Sequence, residues 1–171
     1  MHIKEGPTER HTLSVTVDNE AGVLARIAGM FTARGYNIES LTVADITEDE
    51  AVSRITIVTS GTPGVIEQVV AQLDRLVPVH KVTDLTALGP HVERELALVK
   101  VVGTGEHRIE ALRLAEVYRA HVIDATTSSF VFEVTGGSEK IDKFLELMRE
   151  IGLVEVARTG VAAMARGKEA L

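Results

Sequence analysis

Three observations predict an α+β fold built from two ferredoxin-like βαββαβ units, each an antiparallel sheet with helices on one face. Leu13, Val15 and Val17 alternate with Thr12, Ser14 and Thr16, the period of a strand with one buried face. Leu24, Ile27, Ala28 and Phe31 then recur at helical spacing. After Gly89-Pro90 the same order of patterns returns, which sets the expected domains at 1–88 and 89–171.

In the first unit, Gly35 is placed to end the first helix as a left-handed cap. Residues 38–46 and 52–59, rich in Ile, Val and Thr, read as a hairpin around the acidic turn Thr47-Glu48-Asp49-Glu50. Thr62-Pro63 opens a second helix, with an apolar stripe of Ile66, Val69, Val70, Leu73 and Val77; Pro78 closes it. A strand is expected over 79–86. Helices on one face of the sheet leave the other open, and an apolar open face needs another sheet, a partner chain or more of the same chain to cover it.

The second unit reads as a strand at 95–102, a helix at 107–119 carrying Ala111, Leu114, Ala115 and Tyr118, and strands near 121–127 and 129–135. A helix after Ser138 follows, with the stripe Ile141, Phe144, Leu145 and Met148. A final strand runs from Leu153 to Ala157, before the tail TGVAAMARGKEAL.

Composition narrows the function. With 171 residues, 45% hydrophobic and 25% charged, the chain can bury a core. The lack of Cys excludes disulfides, thiolate metal sites and cysteine nucleophiles. A net charge of −7 argues against a nucleic-acid partner, because such binding draws its affinity from clustered Lys and Arg. The N-terminal MHIKEGPTER has no apolar core of a signal peptide, and no run is long enough for a membrane span, so a cytoplasmic protein is expected.

The residues that suggest a ligand lie in DNEAGVLARIAGMFTARGYNIESLTV, 18–43. A polar turn ending in Gly22 feeds the first helix, and a helix N-terminus favours carboxylates. Gly22 allows close approach to the main chain. Asn19 and Asn37 flank the helix, and an amide side chain can donate to a carboxylate and accept from an ammonium group. The combination suits an amino acid bound without chemistry.

Other constellations read as structural. His2, His11, His80, His91, His107 and His121 form no metal-ligand pair at i, i+2 or i, i+4. Glu48-Asp49-Glu50 lacks the spacing of a calcium loop, and Gly103-Thr104-Gly105 lacks the Gly-Lys-Ser/Thr ending of a phosphate loop. Ser128-Ser129 has no sequence companion suggesting a triad. An acylphosphatase-like enzyme would need Arg in the first loop, whereas Arg26 falls inside the helix. An RNA-recognition module would need aromatics on the central strands, where Ser53, Ile55 and Ile57 stand.

With RGYNIESLTV at 34–43, HTLSVTVDNEAGVLARIAGMF at 11–31, VERELALVKV at 92–101, HVIDAT at 121–126 and EVARTGVAAMARG at 155–167, the chain resembles the small, regulatory subunits of acetolactate synthase over nearly its whole length. The resemblance implies an N-terminal ACT domain and a non-catalytic partner of a large subunit that carries thiamine diphosphate, FAD and Mg²⁺. It implies activation of that enzyme and feedback inhibition by valine in branched-chain amino-acid biosynthesis. It also implies a homodimer or higher oligomer, with the effector held by Asn19, Gly22, Val23 and Leu24 of one chain and Asn37 and Ile38 of another. Position 21 is Ala, where family members often carry Ser or Pro. The alternative is an amino-acid-sensing ACT module that regulates another enzyme.

Overall fold

Apolar residues at every second position of two neighbouring strands form a continuous wall only if the strands pair in register. In the computed structural model, which describes residues 6–171, Leu13 stands opposite Ile57 and Val15 opposite Ile55. These belong to β1 (Glu9–Asp18) and β3 (Val52–Gly61), the two central strands of the first sheet. The edges are β2 (Ser40–Asp45), beside β3, and β4 (Val79–Asp84), beside β1, and all pairings are antiparallel. Against this wall pack Val23, Ile27 and Phe31 of α1 (Val23–Ala33) and Val69 and Leu73 of α2 (Pro63–Asp74).

The second unit repeats the plan. Its strands are β5 (His91–Val102), β6 (His121–Ala125), β7 (Ser129–Gly136) and β8 (Leu153–Arg158), in the order β6-β7-β5-β8. Ala97, Val99 and Val101 of β5 and Phe130, Phe132 and Val134 of β7 meet α4 (Glu106–Val117) and α5 (Ser138–Ile151). All four expected stripe residues of α5 are buried. The α4 seam is made by Ala111 and Ala115, with Leu114 and Tyr118 packed at its border. One charged cluster is built into this unit: the buried Glu95 accepts from Arg158 Nε at 2.6 Å and Ser138 Oγ at 2.8 Å, while Arg158 Nη1 reaches Asp142 at 2.6 Å. The hydrogen bond to Glu95 holds the Arg158 guanidinium above its ordinary range, against the opposing effect of burial.

The two βαββαβ units expected from the sequence are therefore present, and four local features differ. Helix α2 ends at Asp74, so Val77 leaves the apolar stripe and is 93% exposed. The strand expected over 79–86 stops at Asp84, whose Oδ1 accepts from the Ala87 N–H at 3.1 Å and starts the single turn α3 (Leu85–Leu88). Leu24 faces outward at 44% exposure, and Val23 takes its place in the core. The last is a short strand in the tail, β9 (Ala162–Ala165).

That tail groups with the first unit. One compact unit comprises the described residues up to Val92 together with Val161–Leu171, and the other is Glu93–Gly160. Val161 and Ala163 pack with Val58 and Leu85 on the face of the first sheet opposite the helices. The Val161 N–H donates to Ser40 Oγ at 2.8 Å, and Thr42 Oγ1 donates to the Val161 carbonyl at 2.7 Å. Thr12, Ser14 and Thr56 are buried on the same face. The face that was expected to be apolar and open is hydroxyl-lined and covered in part by this chain's own tail, so it gives no reason for a partner chain there.

Candidate functional site

The loop between β1 and α1 is shaped by one turn. The Val23 N–H donates to the Glu20 carbonyl at 3.4 Å across Ala21 and Gly22, and Gly22 has φ 89° and ψ −6°. Those angles belong to the third position of a type II turn, where only a residue without a Cβ sits unstrained. The Gly22 carbonyl then accepts from the Arg26 N–H at 3.0 Å and starts α1 without a side-chain cap. The main-chain N–H groups of Ala21, Gly22, Leu24 and Ala25 meet no acceptor among the described residues. Beyond the adjoining residues nothing lies within 4 Å of where a Gly22 Cβ would stand, and Ala21, Gly22, Leu24 and Ala25 are all exposed.

Asn19 has a defined partner. Its main-chain N–H donates to the Ala51 carbonyl at 2.9 Å and its Nδ2 to the Glu50 carbonyl at 2.8 Å. The tip of the β2–β3 hairpin is thereby tied to the helix loop. The tip is ordered by its own bonds, Ala51 N–H to Asp49 Oδ1 at 3.2 Å and Val52 N–H to Thr47 Oγ1 at 3.1 Å. The hydrogen bond from Thr47, foremost, holds the Asp49 carboxyl below its usual range.

At the far end of α1, the Tyr36 N–H donates to Phe31 O at 2.9 Å and the Gly35 N–H to Thr32 O at 3.2 Å, with Gly35 at φ 70°. This is the Schellman pairing expected of a helix ended by glycine. It delivers Asn37, exposed, with its carbonyl accepting from Thr59 Oγ1 at 2.6 Å, and Ile38, half-buried against the core.

Asn19, Gly22 and Leu24 therefore share one surface, and Val23 is reachable there only through its main chain. Asn37 and Ile38 lie beyond the opposite end of α1. Eleven residues at about 1.5 Å each put roughly 16 Å between the groups. One chain does not bring them together. The contact between Asn19 and the Glu50 carbonyl, 31 residues away, had no local sequence signal.

The features read as structural have structural partners. His11 Nδ1 pairs with Asp84 at 2.8 Å, and His80 Nε2 with Asp18 at 2.5 Å. Gly103 donates to the Ser128 carbonyl at 2.8 Å, as part of a connector from β5 to α4. Arg26 lies within α1. Among the described residues no group of three or more His, Asp or Glu could hold a metal ion, and no helix is long and apolar enough to cross a membrane.

Ala21 occupies the second position of the type II turn, where proline's fixed φ is favoured and no N–H partner is lost. Ala21→Pro is expected to stabilise the protein by about 0.4–1 kcal/mol, by restricting the unfolded chain. Thermal unfolding checks this; a lowered midpoint would contradict the turn geometry.

A family model described as the AHAS small subunit-like ACT domain matches residues 13–81, and one described as the small subunit of acetolactate synthase matches residues 94–167. The chain is 47% identical over 160 residues to a probable acetolactate synthase small subunit of Archaeoglobus fulgidus, covering 94% of this chain and 99% of that one. It is 46% identical over 159 residues to the acetolactate synthase isozyme 3 small subunit of Salmonella typhimurium, covering 92% and 96%.

The chain belongs to the acetolactate synthase small-subunit family.

A crystal structure of the acetolactate synthase small subunit from Thermotoga maritima matches with a TM-score of 0.84 at 37% identity, over 94% of this chain and 99% of that one. The expected fold and family both hold, including the ACT domain in the first unit. The small-subunit model that begins at residue 94 runs on to 167, and so takes in the tail strand that joins the first unit. Membership makes the chain a regulatory small subunit of acetolactate synthase, in branched-chain amino-acid biosynthesis.

Proposed function

We propose that this chain is a non-catalytic subunit that raises the activity of a large, thiamine diphosphate-dependent acetolactate synthase subunit and makes it sensitive to inhibition by valine. The observation that carries the effector site is the row of main-chain donors opened by Gly22 at the start of α1. A carboxylate fits there by charge and by hydrogen bonding. The exposed Leu24 offers an aliphatic contact beside it.

The remaining residues would come from a second copy. Strand β2 is an edge of the first sheet; it begins just after Asn37 and Ile38 and ends at the hairpin tip that Asn19 holds. If two copies paired antiparallel through β2, the start of one strand would pass the end of the other. Six residues of strand span about 20 Å, comparable with the length of α1. Asn37 and Ile38 of the second copy would then approach the Asn19–Gly22 loop of the first. In this reading the first unit binds the effector and forms the dimer, and the second tunes the response. Thiamine diphosphate, Mg²⁺ and FAD belong to the large subunit, and the assembly works in the cytoplasm.

Reconstitution tests the proposal. The purified chain alone is expected to form no acetolactate above a cofactor-only control, and to raise the rate of its large subunit several-fold when added. Valine should reverse that gain. Acetolactate from the small subunit alone, or a large subunit indifferent to its addition, would refute the reading.

A further inference from the structure

The first sheet has two edges, and the proposed dimer uses only one of them. The other is β4, which pairs on one side with β1. Beside that edge, α2 and β4 enclose a groove with a floor of Ile66, Val70, Ala71 and Val82. Its rim carries Glu67, Asp74 and Asp84. An open strand edge with a helix alongside is the arrangement that receives an extended peptide as an added strand, with alternate side chains dropping between strand and helix.

We infer that the α2–β4 groove docks an extended segment of the large subunit in which aliphatic residues alternate with Lys or Arg. The inference rests on the regulatory reading above. The aliphatic side chains would fill the floor, and the basic ones would meet the carboxylates. Asp84 is held in place for this: His11 fixes one of its oxygens at 2.8 Å, and the other caps α3. A second copy of this chain fits poorly, because symmetric pairing through β4 would set each rim of carboxylates beside its own duplicate, and like charges across an interface are costly. Lys81 adds to this on the edge strand itself, where a lysine discourages self-pairing; the alternation of the strand sends it to the face opposite Val82. The chain's net charge of −7 points the same way, towards a basic partner.

The test uses the full chain with its intact large subunit. Glu67→Lys/Asp74→Lys, confirmed folded by circular dichroism, is expected to weaken the Kd for the large subunit at least fivefold in low salt, with the gap narrowing as salt rises. The chain has no cysteine, so Ala71→Cys supplies a single thiol in the groove. Its maleimide reaction is expected to slow at least fivefold in the complex. A smaller change in either measurement overturns the inference. Protection of Ala71→Cys that grows with the concentration of the small subunit alone also overturns it, and identifies a second copy as the occupant. If the unmodified chain neither binds nor stimulates the large subunit, the regulatory reading falls with it. If it stimulates normally while the charge-reversed variant binds with unchanged affinity, the groove alone is refuted.

Discussion

Gly22→Asp is expected to abolish valine inhibition of the reconstituted enzyme while leaving its activation in place. Beyond the two adjoining residues no atom lies within 4 Å of the new Cβ, so the substitution meets no packed neighbour. The cost to folding is the left-handed backbone, about 1–2 kcal/mol for a residue with a side chain. The cost to the effector is larger. The introduced carboxylate stands among the unmet N–H groups of Gly22, Leu24 and Ala25, which it occupies and shields with negative charge. Losing charged hydrogen bonds of this kind costs about 1.5–3 kcal/mol, more than tenfold in affinity, before repulsion is added. Gly22→Ala carries the same backbone strain without the charge and should shift the inhibition curve less. Dose-response curves for valine decide the matter: unchanged inhibition in Gly22→Asp removes the site from this loop. Asn19→Ala should also weaken inhibition, by a different route, because its Nδ2 is engaged with the Glu50 carbonyl and the first effect is a loosened hairpin tip.

The second large effect concerns stability. Gly152→Ala would place a Cβ 2.1 Å from the Val102 carbonyl oxygen, in a backbone with φ 152°. Neither side can move away cheaply. The Gly152 N–H donates to Met148 O at 3.0 Å, and its carbonyl accepts from the Val102 N–H at 2.9 Å, so the same residue closes α5 and starts β8. The pairing of β5 with β8 is already irregular between Lys100 and Val101. A loss on the order of 2–5 kcal/mol is expected, from about 1–3 kcal/mol for overpacking together with about 1–3 kcal/mol for strain at a special backbone conformation. Equilibrium urea unfolding measures it. A loss below about 1 kcal/mol would mean that the α5–β8 junction relaxes far more easily than close-packed backbone does.

Strands with one apolar face and helices with one apolar stripe were legible because their signals are local. Leu13, Val15 and Val17 announce β1, and Ile141, Phe144, Leu145 and Met148 announce α5, whatever they pack against. Gly35 was legible for the same reason. Asp84 was not, since a polar residue continuing the alternation of a strand looks the same whether it stays in the strand or caps a new turn. The segment Ala162–Ala165 carries no periodic signal; it is a strand because β5 is there to pair with it, and Val58, Ser40 and Thr42 receive the residues around its start. The site followed the same division. Its residue types could be read from the sequence, whereas the use of Asn19 to clasp a loop 31 residues away could not.

The return of Val161–Leu171 to the first sheet bears on how the chain is made. Translation delivers β1 through β4 early, but Val58 and Leu85 meet Val161 and Ala163 only after residues 93–160 have been made. Residues 93–160, which carry the strands in the order β6-β7-β5-β8 and the helices packed on them, emerge in between. The middle of the polypeptide can thus assemble its core before the tail reaches either sheet. A nascent chain stalled near residue 160 would carry the second core but still lack β9, and a fragment cut at residue 88 would leave Val58 and Leu85 without Val161 and Ala163.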